Sequence, residues 1–290
     1  MPLLVGLVGA GPWAHMVHAP MLAAGPDTAL AGVWARRPEA AAELAGAHGA
    51  VAFHRYEDLL DACEAVAFAV PPGVQASLAV AAVRAGKAVL LEKPLADDLA
   101  GAERLAAAVA EAGVGSLVVL SGRFSTAVRE FLAATFGFGA VGGRACFISG
   151  GLLGGPFAMG WRLERGALLD LGPHAIDLLD AALGPVTGLR AVGDPLGYVA
   201  LALEHEGGAV SDVSLCMTAA IDPGRTECEL YGLNGMLAVD VRAGIGRETF
   251  AEVARTFAVV AVAPGAPNPL DAARGLHLQR WLAEAERQLG

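Results

Sequence analysis

A lysine and a proline follow an apolar stretch of the sequence. Ala88–Leu91 has the composition of a buried strand, and Glu92, Lys93 and Pro94 come directly after it. Lysine is rarely buried and proline cannot continue a central strand, so we expect the strand to end here. Lys93 then either extends along the rim of a sheet into solvent or delivers an ammonium group to a site. In a site, this group could hydrogen-bond a reacting oxygen and stabilise developing negative charge.

A second segment places three polar residues on one face of a predicted helix. Asp170, His174 and Asp177 are spaced i, i+4 and i+7. The reference pKa of histidine, about 6.5, suits a side chain that takes and returns a proton. The alternatives are an amphipathic helix with a hydrogen-bonded structural histidine, or a metal site made by two carboxylates and an imidazole. No second His or Cys cluster supports the metal site, so we predict none.

The N-terminal segment has the pattern of a dinucleotide-binding turn. A strand over residues 3–9 leads into a GxGxxA sequence formed by Gly9, Gly11 and Ala14, and a helix follows. The first glycine permits a tight turn, the second lets the backbone approach a pyrophosphate, and the alanine allows close packing of helix and strand. Glycine-rich turns are common in a chain with 38 glycines. The position of the pattern nevertheless favours a cofactor site that also includes Pro12 and Trp13.

The end of the second predicted strand bears on which dinucleotide binds. This strand covers residues 29–35 and ends at Ala35, where an NAD site usually has an Asp or Glu for the ribose 2′-hydroxyl. Arg36 and Arg37 follow, and two guanidinium groups suit a 2′-phosphate. The alternative is a solvated basic pair at the start of a helix. We predict that NADP(H) is favoured and that NAD(H) binding is possible.

Short apolar runs alternate with helical patterns in the first third of the chain, which predicts a parallel sheet covered on both faces. From Leu189 to Val262 the pattern predicts several strands joined by turns, with Asn234-Gly235 as a hairpin signal. The fold class is therefore α/β with two domains. We place a dinucleotide-binding domain at residues 1–121 and a substrate-binding and oligomerisation domain with an open, mostly antiparallel sheet at residues 122–290. An open sheet face in so apolar a chain predicts a homodimer or homotetramer.

Composition and charge exclude several classes of protein. The chain is 55% hydrophobic and 17% charged, as expected for a globular protein with a large core. Its net charge of −10 disfavours binding to nucleic acid or to an anionic membrane. The four cysteines lack CxxC spacing and the N-terminus lacks a basic region, so we expect reduced thiols, no signal peptide and a cytoplasmic location.

Three motifs together resemble the glucose–fructose oxidoreductase/inositol dehydrogenase (Gfo/Idh/MocA) family. They are the GxGxxA turn, residues 70–96 with their EKP triplet, and residues 166–179 with a D-x-G-x-H-x-x-D pattern. The resemblance covers about Leu4 to Gly184. It implies an N-terminal Rossmann domain, a C-terminal α/β domain and hydride transfer between a nicotinamide and a sugar, cyclitol or related alcohol or ketone.

The resemblance also implies roles for particular residues. Lys93, Asp170 and His174 correspond to the family's catalytic set, and relatives often have a cis peptide before the proline equivalent to Pro94. We add Pro71, Pro72 and Glu92, together with Lys93, to the cofactor site. Candidate substrate contacts are Asp170 and His174 with Arg123, Trp161 and Arg162. Gln75 departs from the family pattern, in which many relatives have histidine. A non-catalytic NADP-binding redox sensor and a reductase of a non-sugar ketone or imine remain as alternatives.

Overall fold

A computed structural model describes residues 1–290, and the chain divides into two units. The first unit consists of Met1–Val119 and Phe250–Gln279. The second consists of Leu120–Thr249 and Arg280–Gly290. The main division lies beside the expected one at residue 121, but Phe250–Gln279 groups with the first unit and not with the second.

The first unit contains a six-stranded parallel sheet with the strand order β3-β2-β1-β4-β5-β6. Every residue of the fourth and fifth strands is buried, because helices cover both faces of a parallel sheet. The strands are β1 (Leu3–Val8), β2 (Thr28–Trp34), β3 (Val51–Phe53), β4 (Ala65–Phe68), β5 (Ala88–Leu91) and β6 (Ser116–Val118). The predicted parallel sheet is confirmed.

Helices connect these strands. The first begins as a π turn over Ala14–His18 and continues as α1 (Ala19–Ala23). The others are α2 (Pro38–Ala47), α3 (Tyr56–Asp61), α4 (Pro72–Arg84) and α5 (Leu99–Ala112). The last of these has clear end signals, since the Asp98 side chain accepts the Gly101 N–H at 2.6 Å and Gly113 adopts a left-handed conformation after the final turn.

The chain returns to the first unit near its C-terminus. The segment between α8 (Arg247–Val262) and α9 (Ala272–Leu289) lies beside β6. The Asn268 amide donates to the Ser116 carbonyl at 2.8 Å, and the Val118 N–H donates to the Leu270 carbonyl at 2.7 Å. These bonds satisfy backbone groups of a short edge strand, which explains why this segment belongs with the first unit although it is distant in sequence.

The prediction of strands up to Val262 is wrong for the last part of that range, because Arg247–Val262 forms α8. Its buried apolar side chains Val253, Ala254, Phe257 and Val260 are spaced i, i+1, i+4 and i+7. That spacing belongs to one face of a helix.

The second unit contains a six-stranded mixed sheet with the order β12-β11-β7-β10-β9-β8. All neighbours are antiparallel except β7 and β10, which are parallel. The strands are β7 (Ala140–Ile148), β8 (Val186–Gly193), β9 (Tyr198–His205), β10 (Val210–Cys216), β11 (Arg225–Gly232) and β12 (Gly235–Asp240). The predicted open, mostly antiparallel sheet is confirmed.

The helices of this unit are α6 (Thr126–Ala134), the N-terminal residues of α8, the long α7 (Trp161–Leu183) and the C-terminal part of α9. Helix α7 packs against β7, β9, β10 and β11. The end of α9 is fixed to the edge strand β8, where the Gln288 side chain accepts the Ala191 N–H at 2.8 Å and donates to the Leu189 carbonyl at 3.0 Å.

The four cysteines are free and buried. Burial raises the pKa of the Cys228 thiol to about 12, so this side chain stays protonated near neutral pH. The cysteines therefore act as small apolar core residues. No helix of the structure combines the length and the apolar composition that crossing a membrane would require.

Candidate active site

An open cleft lies at the carboxyl ends of β1, β2 and β4 in the first unit. It is lined by Gly9, Ala10, Gly11, Trp34, Ala35, Arg36, Arg37, Ala40, Ala69, Val70, Pro71 and Val74. In sheets of this kind, ligands bind beyond the carboxyl ends of the strands. The cleft therefore lies where a dinucleotide is expected.

The two glycines of the first turn meet different requirements. Gly9 has a φ of +114°, and a Cβ there would lie 2.3 Å from the Ala69 carbonyl oxygen, so no other residue fits. In front of Gly11, by contrast, no atom lies within 4 Å of the Cβ position. The backbone at Gly11 is thus open to the cleft, as a pyrophosphate beside a helix N-terminus requires. These features fit a bound dinucleotide.

Both arginines after β2 line the cleft and are exposed. Arg37 precedes Pro38, the first residue of α2, in an extended conformation. Ala35 lies beside them and offers no carboxylate to a ribose. The end of the second strand therefore has two cationic side chains, and Ala35 stands where an NAD site usually has a carboxylate.

The EKP segment is held by a buried amide. Gln75 is fully buried, and its Nε2 donates to the Glu92 carbonyl at 2.7 Å and to the Leu95 carbonyl at 3.1 Å. Its Oε1 accepts the Glu92 N–H at 2.8 Å. The peptide between Lys93 and Pro94 is cis, as the resemblance implied. Gln75 fixes the backbone around Lys93 and is not part of the lining of the cleft.

The Glu92 carboxylate is also bound. Trp13 Nε1–H donates to Glu92 Oε1 at 2.7 Å, and His18 Nε2 lies 2.8 Å from the same oxygen. Glu92 Oε2 accepts the Lys93 N–H at 3.3 Å. The dinucleotide-binding helix and the lysine segment therefore meet at one carboxylate within the first unit.

In the second unit, α7 carries the predicted polar stripe. Gly166 interrupts the helix with a φ of +67°, and a Cβ there would lie 1.9 Å from the Pro195 carbonyl oxygen. The polar stripe begins about one helical turn after Gly166, at Asp170. Arg162, from the segment before Gly166, donates from Nε to Asp170 Oδ2 at 3.1 Å.

Aromatic rings hold this arginine. Its guanidinium carbon lies 4.7 Å from the ring centroid of Trp161 and 5.4 Å from that of Phe157. Guanidinium groups stack on aromatic faces more readily than ammonium groups do. The negative charge of the largely buried Asp170 is thus balanced by a cation in a fixed position.

A second ion pair lies further along the same helix. Arg123 Nη1 donates to Asp177 Oδ2 at 3.0 Å, and only 2% of the Asp177 side chain is exposed. Arg123, His174 and Asp177 together line a small cavity with Leu120, Gly122, Val128, Leu178 and Val241. The imidazole of His174 therefore lies in a cavity with a carboxylate and a guanidinium group already paired beside it.

The structure places the predicted residues in two groups. Gly9, Gly11, Arg36, Arg37 and Pro71 line the cleft of the first unit, whereas Pro12, Trp13, Ala14, Pro72, Glu92 and Lys93 lie outside its lining. Ala14 is fully buried, as close packing requires, and Trp13 and Glu92 contact each other. Arg123, Trp161, Arg162, Asp170 and His174 belong to the second unit. No three side chains among His, Cys, Asp and Glu form a metal-ligand cluster.

Three residues that contact the predicted site residues are not predicted from the sequence. Gln75 was noticed only as a departure from a family pattern, and nothing singled out His18 or Phe157. The signal for Gln75 was a polar side chain on a helix that is otherwise rich in Ala and Val. His18 and Phe157 left no comparable signal, because their partners are distant in sequence or belong to an irregular loop.

Two family models match the chain. Residues 3–119 match an oxidoreductase family with an NAD-binding Rossmann fold, and residues 153–238 match the C-terminal domain of the same family. A curated relative from Streptomyces antibioticus, a dTDP-3,4-didehydro-2,6-dideoxy-alpha-D-glucose 3-reductase, is 30% identical over 258 residues, which is 82% of this chain and 75% of the relative. The chain belongs to the Gfo/Idh/MocA oxidoreductase family.

Solved structures of Gfo/Idh/MocA type confirm the fold. A UDP-N-acetylglucosamine 3-dehydrogenase from Acidithiobacillus ferrooxidans matches with a TM-score of 0.86 and 21% identity, over 100% of this chain and 98% of that one. A 3-ketoreductase from Actinomadura kijaniata, solved with TDP-benzene and NADP, matches with a TM-score of 0.82 and 23% identity, over 100% and 98%. At this identity the likeness shows the fold alone.

Membership of the Gfo/Idh/MocA family confirms three predictions. The chain is an oxidoreductase, its first domain is an NAD-binding Rossmann fold, and its fold class is α/β with two domains. A nicotinamide dinucleotide is therefore the cofactor. The preference for NADP(H) and the roles of individual site residues stay predictions.

Proposed function

We propose that the protein interconverts a hydroxyl and a keto group on a sugar or cyclitol, with a nucleotide-linked keto sugar as the first substrate class to test. The curated relative reduces a dTDP-linked sugar at position 3, and the structural neighbours include a sugar-nucleotide 3-dehydrogenase and a 3-ketoreductase. The observation that carries the proposal is the Lys93 segment, which Gln75 and Glu92 hold at the carboxyl end of β5. A lysine whose backbone is held there can bring its ammonium group to a reaction at the nicotinamide end of the cofactor.

Each residue of the proposed catalytic set has a task that its surroundings support. The bound nicotinamide would supply or accept the hydride. Lys93 donates a hydrogen bond to the reacting oxygen of the substrate and stabilises negative charge that develops on it. His174 takes the proton from the substrate hydroxyl, or returns it to the keto oxygen in the reverse direction.

Asp170 has a supporting task in this proposal. Arg162 pairs with one oxygen of the Asp170 carboxylate and orients it, and we assign Asp170 the task of orienting a substrate hydroxyl or the imidazole. Arg162 and Trp161 are then held in place by stacking and form part of the substrate pocket. Arg123 is assigned to the same pocket because it lines the cavity of His174.

For the cofactor we propose that NADP(H) binds more tightly than NAD(H). Ala35 provides no acceptor for a ribose 2′-hydroxyl, and Arg36 and Arg37 line the cleft beside it.

The assembly is proposed from the sheet of the second unit. Helix α7 packs on one face, and the strand register places several exposed apolar side chains on the other: Val192, Tyr198, Val210, Tyr231 and Met236. We propose that a second copy of the chain covers this face in a homodimer or homotetramer. We also propose the cytoplasm as the compartment, because four cysteines without a disulfide suit reducing conditions.

The decisive experiment follows nicotinamide absorbance with a panel of nucleotide-linked keto sugars, free keto sugars and polyols. We expect turnover with at least one member, and a loss of about 10² or more in kcat for Lys93→Met and for His174→Ala. Lys87→Met is the matched control, because Lys87 donates to the Cys63 carbonyl at 2.9 Å and has no part in the proposed reaction.

Three results would contradict the proposal. Wild-type turnover in either site variant would remove that residue from the reaction. Cofactor binding without turnover of any panel member would favour the redox sensor, whereas turnover of only non-sugar ketones or imines would favour the other alternative.

A further inference from the structure

The first helix of the dinucleotide domain does not begin as an α-helix. Residues Ala14–His18 form a π turn, in which the Ala19 N–H donates to the Ala14 carbonyl five residues earlier. Pro20 follows and has no N–H to donate to the Met16 carbonyl, so a wider turn at this point accommodates the proline ring. Such π turns are rare and occur frequently at functional sites.

The π turn changes which side chains share a face. In an α-helix, residues five apart lie about 140° apart around the axis, because each turn takes 3.6 residues. In a π turn, bonds join residues five apart, which brings positions i and i+5 to nearly the same side. Trp13 and His18 have this spacing and reach the same atom, Glu92 Oε1, at 2.7 Å and 2.8 Å.

The hydrogen-bonding roles follow from the chemistry of the acceptor. An ionised carboxylate only accepts, so His18 Nε2 carries the proton that it shares with Glu92. His18 is fully buried, and its Nδ1 has no hydrogen-bond partner. Glu92 is therefore the one polar group that fixes this ring, and the ring in turn holds the carboxylate.

The same carboxylate also holds the backbone of Lys93. While Oε1 accepts from Trp13 and His18, Oε2 accepts the backbone N–H of Lys93 at 3.3 Å. Both oxygens are thus used, one toward the first helix and one toward Lys93. Trp13 comes two residues after Gly11, so the helix start that faces the cleft also carries a donor for this network.

We propose that Trp13 and His18 are positioning residues, which fix the direction of Lys93 through the Glu92 carboxylate. The consequence for catalysis rests on the proposed role of Lys93 in the reaction, but the effect on the geometry of Lys93 does not. Neither residue needs to touch the substrate. The π turn places both donors within reach of one oxygen.

The first test needs no substrate and uses the full-length protein. The chain has two lysines, Lys87 and Lys93. The rates at which an amine-acetylating reagent modifies them are compared by peptide mass spectrometry, with Lys87 as the internal reference. Trp13→Phe removes the N–H donor and keeps an aromatic ring for the edge contact with Phe250, whose centroid is 6.1 Å away. We expect the Lys93-to-Lys87 ratio to rise about threefold or more, a change of the size that one hydrogen bond supports.

A second variant and a control complete this test. His18→Asn should raise the ratio in the same way, because the shorter side chain does not reach Glu92. Glu64→Gln is the control, since Glu64 Oε2 accepts the Leu4 N–H at 2.9 Å in the same unit and lies outside the network. An unchanged ratio in both network variants, or an equal change in the control, would overturn the proposal.

The second test uses turnover once a substrate is known. His18→Asn should lower kcat by about tenfold, as small misplacements of a catalytic group do, with little change in cofactor affinity. In a Glu92→Ala background the same substitution should have no further effect on kcat, because the path through the carboxylate is already lost. An equal loss in both backgrounds, or a loss confined to cofactor affinity, would refute the positioning role. If no substrate is turned over, the Lys93-to-Lys87 labelling ratio still tests whether Trp13 and His18 position Lys93.

Discussion

Removal of Arg36 and Arg37 should abolish a preference for NADP(H) over NAD(H). The two cofactors differ by the 2′-phosphate, and the structure offers this group two guanidinium side chains beside Ala35. A hydrogen bond to a charged group contributes about 1.5–3 kcal/mol. Because both arginines are exposed and the cleft is open, water and salt weaken the contact, and the lower limit is the appropriate figure.

This limit gives the size of the effect. About 1.4 kcal/mol corresponds to a factor of ten in affinity, so one contact predicts a tenfold preference for NADP(H). The double variant Arg36→Ala, Arg37→Ala should lose that factor or more for NADP(H), while NAD(H) affinity changes by less than about threefold. Raising the salt concentration should reduce the wild-type preference in the same direction.

Titration calorimetry with both cofactors measures these affinities without a substrate. Arg55→Ala is a matched control, since Arg55 is an exposed arginine that precedes α3 as Arg37 precedes α2, and it does not line the cleft. It should leave both affinities unchanged. Equal affinities in the wild type, or tighter NAD(H) binding, would show that the arginine pair is only solvated.

Three further predictions concern the fold and the assembly. Gln75→Leu should destabilise the first unit by about 1–3 kcal/mol, because it leaves the Glu92 N–H and the carbonyls of the EKP segment unpaired; an unchanged urea midpoint would contradict this. Phe257→Ala should lower the free energy of unfolding by about 3–5 kcal/mol, because this ring of α8 is fully buried. A decrease below about 1 kcal/mol, as surface substitutions give, would argue against that burial. Light scattering at micromolar concentration should give a dimer or tetramer mass, and a charged substitution at Tyr198 should shift it toward the monomer; a monomeric wild type would refute assembly through the sheet.

The dinucleotide turn could be predicted because its requirements are local. Gly9 needs a positive φ and Gly11 an open approach, and both demands fall on residues within one short turn between a strand and a helix. The alternating apolar runs likewise predict a parallel sheet, since continuous burial leaves a simple pattern in the sequence.

Helix α8 shows where local composition misled the prediction. The segment ends in a run of Phe, Ala and Val, which favours strands, yet its buried positions have helical spacing. β-propensity is weak compared with packing, and the core of the first unit decides the outcome. The spacing was present in the sequence and is the better guide.

The network at Glu92 could not have been predicted from periodicity. Trp13 and His18 are five residues apart, a spacing that an α-helix does not bring together, and Glu92 lies 79 and 74 residues further along the chain. Gln75 similarly acts on a segment that begins 17 residues later. These contacts arise from tertiary structure, so the spacing of these residues along the chain does not predict them.

The return of Phe250–Gln279 to the first unit limits how this protein can be divided. The chain passes from one unit to the other three times, after Val119, Thr249 and Gln279. A recombinant fragment of residues 1–119 would expose the backbone of β6, because the partners of Ser116 and Val118 are supplied by Asn268 and Leu270. A chimaera that exchanges substrate domains between relatives must therefore retain both pieces of the dinucleotide unit and graft only Leu120–Thr249, with the end of α9 matched to the incoming sheet.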